Sequence, residues 1–271
     1  MSNTGIRMGI VIVGGSVVVA LLLVTAIGWL VPPAALAGCS GLIGNLLAIV
    51  GTFYGVLLGL IVVDSLTRFE RTVDTVRAES NCLADIFLLA ERLPEPHAGR
   101  LKRLCREYAN EVATNEWPLM SRGHLSMHAR KIAVGLFRSL HDFEPQTEAE
   151  KAVYPAILEM VRQVWDNRRQ RAHTAEFGIA AIQWAALILG CLVTLILVGM
   201  YAVEDRSLQM VAVGLATSVI ALNLYLVYLF GYPFRGEMSV SKRPFEIDID
   251  IFAGVYDEAP AHRGEKRESL D

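Results

Sequence analysis

"GTFYGVLLGLIVVDSLTRFERTVDTVRAES", residues 51–80, begins as an uncharged apolar run and ends as a charged one, with no proline anywhere and no glycine after Gly59. Its first half extends back to Leu42, and 42–63 is long enough at ~1.5 Å per residue to cross ~30 Å of hydrocarbon. From Asp64 onward, Leu66, Phe69, Val73, Val76, Leu83, Ile86, Phe87 and Ala90 recur mostly at three- and four-residue intervals among acids and arginines. That is the pattern of an amphipathic helix in water. The stretch therefore predicts one helix that leaves a bilayer and continues beyond it, ended by "LPEP" at 93–96.

Outward from this stretch lie three more apolar blocks, at about 8–31, 177–201 and 208–232. The 271 residues are 53% hydrophobic and only 20% charged, with a positive mean hydropathy, and this excess of apolar residues points to a membrane protein. Arg7 and the "ALAG" at 35–38 resemble parts of a cleaved signal, but the block between them exceeds the ~7–15 residues of a signal core. It reads as an anchor. The fold class expected is an all-α integral membrane protein with four transmembrane helices. A first hairpin occupies 1–63, a cytoplasmic helical domain is inserted over 64–176, a second hairpin follows at 177–232, and a cytoplasmic strap and tail take up 233–271.

Within the insert, helices are predicted at about 98–115, 126–140 and 147–175, with a break near Trp117 and Pro118. "FEIDIDIF" (245–252) alternates apolar and acidic residues, as a half-buried edge strand or a segment lying in a groove would. The charged end, "HRGEKRESLD", reads as disordered.

Orientation follows from the basic residues. Of 25 Lys and Arg, 17 lie between Arg68 and Arg171, against none in "PPAALAGCSG" (32–41) and one in "AVEDRS" (202–207). Arg68, Arg71, Arg77, Arg168, Arg169 and Arg171, close to the spans, put the insert and both termini on the cytoplasmic side of a bacterial inner membrane. A formal charge of -3 gives no footing for nucleic acid. The four cysteines form no CxxC pair, so neither a disulfide framework nor a zinc site is read. His124 and His128 are four apart but lack the glutamate and further ligand of a zincin. No phosphate loop, dinucleotide fingerprint or nucleophile elbow occurs, so no enzyme, metal or cofactor is expected.

In this layout the chain resembles the bestrophin-like family of bacterial membrane proteins. The resemblance rests on "GTFYGVLLGLIVVDSLTRFERTVDTVRAES" (51–80), "EYANEVATNEWPLMSRG" (107–123), "RRQR" (168–171) ahead of a span containing Trp184, and "YPFRG" (232–236). In bestrophin ion channels the second helix lines a central pore in a five-fold assembly, then continues through an aromatic-rich Arg-Trp-Trp-Glu-like segment into a cytosolic helical domain. Here "TRFER" (67–71) stands at that place with one aromatic residue where bestrophins often have two. The acidic calcium clasp of animal bestrophins has no match, so calcium gating is not implied. What the resemblance does imply is a homo-pentamer that passes small inorganic ions across the lipid bilayer.

At ~100° per residue, Gly44, Ala48, Gly51, Gly55 and Gly59 share one helix face, and small residues at that spacing let helices approach closely in lipid. The other side carries Ile49, Phe53, Leu57, Leu60 and Asp64, together with Leu46. If that side faces a pore, apolar rings gate it by dewetting and a ring of Asp64 carboxylates favours cations; otherwise those residues touch lipid or other helices. Bestrophin relatives include anion- and cation-passing members, which leaves selectivity open. Asn45, Thr52, Gln183 and Asn223 are expected to bond between helices. No span carries a central Lys, Arg, Asp or Glu, which disfavours a proton-coupled carrier. Arg168, Arg169 and Arg171 fix topology and are candidates for binding anionic lipid headgroups. Two functions follow: passive ion conduction, or a non-conducting scaffold whose cytoplasmic domain recruits a partner.

Overall fold

The computed structural model describes residues 3–30, 38–201, 205–236 and 238–254, and among these no strand occurs. Among the described residues nine α-helices follow one another: α1 (Asn3–Leu30), α2 (Ser40–Leu89), α3 (His97–Glu111), α4 (Trp117–Met120), α5 (Met127–His141), α6 (Glu148–Glu176), α7 (Ala181–Met200), α8 (Arg206–Gly231) and α9 (Arg243–Phe252). Among the described residues four stretches are long and apolar enough to cross a membrane: Arg7–Trp29, Ser40–Arg92, Ala181–Met200 and Arg206–Gly231. The expected continuous second helix is present as the 50 residues of α2. The charged tail and most of the "ALAG" segment lie outside the described residues.

Two expectations fail. No break occurs at Trp117 and Pro118. The chain passes from α3 through one π-helical turn, Val112–Glu116, directly into α4, and the Trp117 N–H reaches the Val112 carbonyl five residues back. Pro118 lacks the N–H that an ordinary turn would use, and the wider turn sits immediately before it. "FEIDIDIF" is not a strand either but part of α9, with Pro244 in its first turn. Its buried residues are Phe245, Asp248 and Phe252, a helical spacing, while Ile247 is exposed.

The helices form two compact units. The first falls within Met1–Val73, Ser121–Gly123 and His173–Val240. Its core joins Ala20 and Val24 of α1, Tyr54, Leu58 and Ile61 of α2, Leu187 and Leu195 of α7, and Val213, Ile220 and Val227 of α8. The Tyr54 ring of α2 lies directly against Gly190 of α7: a Cβ added there would stand 2.3 Å from a Tyr54 ring carbon, so any larger residue forces the ring or the helix to move.

The second unit falls within Asp74–Met120, His124–Ala172 and Ser241–Asp271. Here α3 packs on α5 and on α9. Leu83 and Ile86 of α2, Leu101 and Tyr108 of α3, Leu136 of α5, Ile157 of α6 and Phe245 of α9 are fully buried. Ser126 caps α5 by accepting the Ala129 N–H, the local rule that starts this helix where the sequence places it.

Candidate functional site

On α2 the first unit distinguishes three faces. One is buried inside the chain by Tyr54, Leu58, Ile61 and Ser65. At ~100° per residue, the glycine stripe lies roughly a quarter turn from it. Gly44 meets the Tyr201 ring, 3.2 Å from where a Cβ would be, but Gly51, Gly55 and Gly59 have nothing within 4 Å. Ala48 is exposed. Whatever approaches Gly51, Gly55 and Gly59 closely does not come from the described residues of the same chain.

The third face is the one expected to line a pore. Ile49, Phe53 and Leu60 are 55%, 74% and 64% exposed, Leu57 only 37%, and Asp64 is exposed. Thr52, Val56 and Val63 stand roughly opposite the packed residues at ~100° per residue, with Ile49 and Leu60 beside them. Leu57 turns back toward the packed side. Val56, 59% exposed, was not among the residues singled out from the sequence, although the buried positions of α2 put it near the centre of the uncovered surface. Three of the four polar residues expected to bridge helices bond locally: Thr52 Oγ1 donates to the Ala48 carbonyl, Asn223 Nδ2 to that of Val219, and Gln183 Oε1 accepts from the Ala180 N–H.

The second unit contains a polar centre that the sequence reading missed. Arg171 on α6 grips Glu79 on α2 in a two-point fork, Nε to Oε2 at 2.7 Å and Nη2 to Oε1 at 2.8 Å. Its Nη2 also reaches Oε2 of Glu116, the last residue of the π turn, at 2.9 Å. Arg168, one turn earlier, donates to Glu116 Oε1 and to the Ser126 carbonyl, and the Tyr108 hydroxyl donates to Glu79 Oε1 at 2.5 Å. Every one of these residues is buried. Burial opposes the Arg171 charge, but Glu79 and Glu116 outweigh it and hold its pKa well above the usual arginine value. Burial, together with the Glu79 carboxylate, pushes the Tyr108 hydroxyl well up.

Two carboxylates and two guanidiniums balance, and the fork geometry is the strong form of such a contact. With no nucleophile at its centre, the cluster ties α2, the π turn and α6 into one register. It also corrects the headgroup expectation for "RRQR". Arg168 and Arg171 are 4% and 1% exposed and committed to carboxylates, so only Arg169 offers a surface charge. Among the described residues no group of three or more His, Cys, Asp or Glu side chains is placed to hold a metal ion.

The chain matches the Bestrophin-like domain over residues 14–245. Among solved structures, it is similar to a bacterial bestrophin homologue from Klebsiella pneumoniae, crystallised as a point mutant, with a TM-score of 0.62 at 12% identity, covering 88% of this chain and 99% of that one. A second mutant of that homologue gives a TM-score of 0.62 at 10% identity over 90% and 98% of the two chains. A structure described as a membrane protein gives 0.61 at 12% identity over 88% and 98%. Among curated proteins none matches. The domain match covers most of the chain and the likeness of fold runs nearly its full length: this membrane protein belongs to the bestrophin-like family.

Proposed function

We propose that the protein is a homo-oligomeric ion channel, a ring of five copies whose α2 helices surround a central pore that passes small inorganic ions passively. The ring lies in a bacterial inner membrane, with both termini and the 64–176 insert on the cytoplasmic side. The observation that carries this reading is the surface of α2: one narrow face is buried within the chain, while the glycine stripe and the Ile49–Phe53–Leu60 side are both uncovered. In a closed ring each helix meets one neighbour on each flank and turns the side opposite its own subunit toward the axis. The small stripe of one copy then receives the large side chains at the flank of the next, a pairing that suits close packing in lipid.

Under this arrangement the axis is lined by Thr52, Val56 and Val63 with Ile49 and Leu60, and Phe53 stands at the edge of the constriction. Leu57 belongs to the contact between copies. Apolar rings at Val56 and Leu60 gate by excluding water, and Asp64, on the flank between copies beyond them, sets carboxylates at the mouth that favour cations.

Ion flux into liposomes holding the purified protein, under Na⁺, K⁺ and Cl⁻ gradients, tests the proposal. Val56→Ala and Phe53→Ala widen the constriction and raise flux, and Asp64→Asn lowers the preference for cations. Correctly assembled protein that carries no flux, with or without the wider gate, overturns the channel and leaves a membrane scaffold.

A further inference from the structure

Among the described residues three carboxylates are buried: Glu79, Glu116 and Asp248. The first two face arginines, whereas Asp248, 3% exposed, has a single hydrogen bond, from the Ser80 hydroxyl to its Oδ2 at 2.6 Å. Ser80 belongs to α2 and neighbours Glu79 in sequence. Asp248 lies in the middle of α9, which is fastened at both ends. Lys242 Nζ donates to the Ala113 carbonyl at 3.3 Å, and Phe245 packs edge-on against the rings of Tyr108 and Trp117. At the other end Phe252 stacks on Phe87, with centroids 4.3 Å apart, and its carbonyl accepts from Arg106 Nε at 3.1 Å.

We propose that α9 is a proton-dependent latch on α2, docked through Asp248 and Ser80 when Asp248 is protonated and loosened when it ionises. The groups facing Asp248 give it no counter-charge. From α2 comes the Asp85 carboxylate. From α3 comes Cys105, which feels Asp248 as an added negative charge; Arg106, beside Cys105, donates to the Phe252 carbonyl and lies over the Phe87 ring. Tyr108 is held by Glu79. On α9 itself, Glu246 pairs with Lys242 at 3.2 Å, and Asp250 is exposed.

Burial pushes the Asp248 carboxyl up to about 7; the Ser80 hydrogen bond pulls it down, and Asp85 adds to the rise. An undocked helix would titrate this carboxyl near the ordinary ~3.9. Between these two values the docked state binds more protons than the undocked one. Docking is therefore strongest in acid, weakens about tenfold per pH unit as pH rises through this window, and levels off above it. Because α2 is the helix read above as lining the pore, the latch would also make conduction depend on pH, and that consequence alone rests on the channel reading.

Hydrogen exchange of the 243–252 peptide in the full-length protein in lipid nanodiscs tests the latch. Rates are measured at pH 5.5 and 7.5, corrected for the intrinsic pH dependence of exchange and compared with a 129–140 peptide from α5 as internal control. The wild type is expected to lose at least tenfold protection in α9 at the higher pH while α5 is unchanged. Asp248→Asn, a neutral side chain of the same shape, keeps α9 protected at both values, and Ser80→Ala lowers its protection at pH 5.5. Equal wild-type protection at both values, or an unchanged pH response in Asp248→Asn, overturns the proposal. Flux through the same samples separates the two readings: a pH-dependent latch in a protein without flux removes the channel and keeps the latch.

Discussion

Arg171 donates to both Glu79 and Glu116, and its guanidinium lies 5.8 Å from the ring centroids of Trp117 and of Phe245. Taking such a group out of water is costly, so the cluster as a whole adds little stability over a well-packed apolar core. Removing one member, however, strands its partners and costs ~3–5 kcal/mol. Arg171→Met is therefore expected to lower the melting temperature of the detergent-solubilised protein sharply, followed by tryptophan fluorescence. Arg171→Lys recovers only part of that loss, because an ammonium cannot hold Glu79 through a planar fork while reaching Glu116. Tyr108→Phe removes one hydrogen bond to a charged acceptor and costs less, ~1.5–3 kcal/mol. If Arg171→Met melts like the wild type, the cluster does not hold the unit together.

At the scale of elements, Gly190 of α7 makes room for the Tyr54 ring of α2. A methyl there meets a Tyr54 ring carbon at 2.3 Å, far inside contact distance, so Gly190→Ala must move the helix or turn the ring, at a cost of ~1–3 kcal/mol. Adding Tyr54→Leu removes the obstructing ring and should return part of the lost melting temperature; a double variant no better than the single one would locate the strain elsewhere. The continuity of α2 was legible because periodicity survives the change from apolar to charged surroundings. The polar centre was legible too, though only in the gaps of that periodicity. Between Val76 and Leu83 the apolar stripe of α2 skips a turn, and the positions that fill it are Glu79 and Ser80, both buried. Along α6, Ile157, Val161, Val164, Arg168, Arg171 and Ala175 form one buried stripe, so the two arginines occupy core positions despite their charge. In α9 the alternation of isoleucine and aspartate imitates a strand. Burial of Asp248 rather than Ile247 is decided by Ser80, 168 residues away in sequence, which no local pattern contains.

For the molecule as a whole, the open question is how α2 covers its apolar flanks. In the proposed ring, Phe53 at 74% exposure and the three glycines with empty space before them would cover each other from different copies. If the proposed ring is right, Gly55→Leu fills that space on every subunit and blocks each of its contacts at once. It is expected to convert the oligomer to smaller species in native mass spectrometry from detergent. Gly55→Ala, a smaller intrusion on a helix that gains from losing a glycine, should keep the ring. Val56→Ala provides the contrast, since under the proposed arrangement it turns to the axis and can be shortened without touching a neighbour: the ring stays whole while flux rises. A Gly55→Leu protein that remains fully assembled would show that the stripe faces lipid, and the axis would then have to be sought on another face of α2. Loss of assembly in Val56→Ala would place that residue between copies and shift the pore toward Phe53, Leu57 and Asp64.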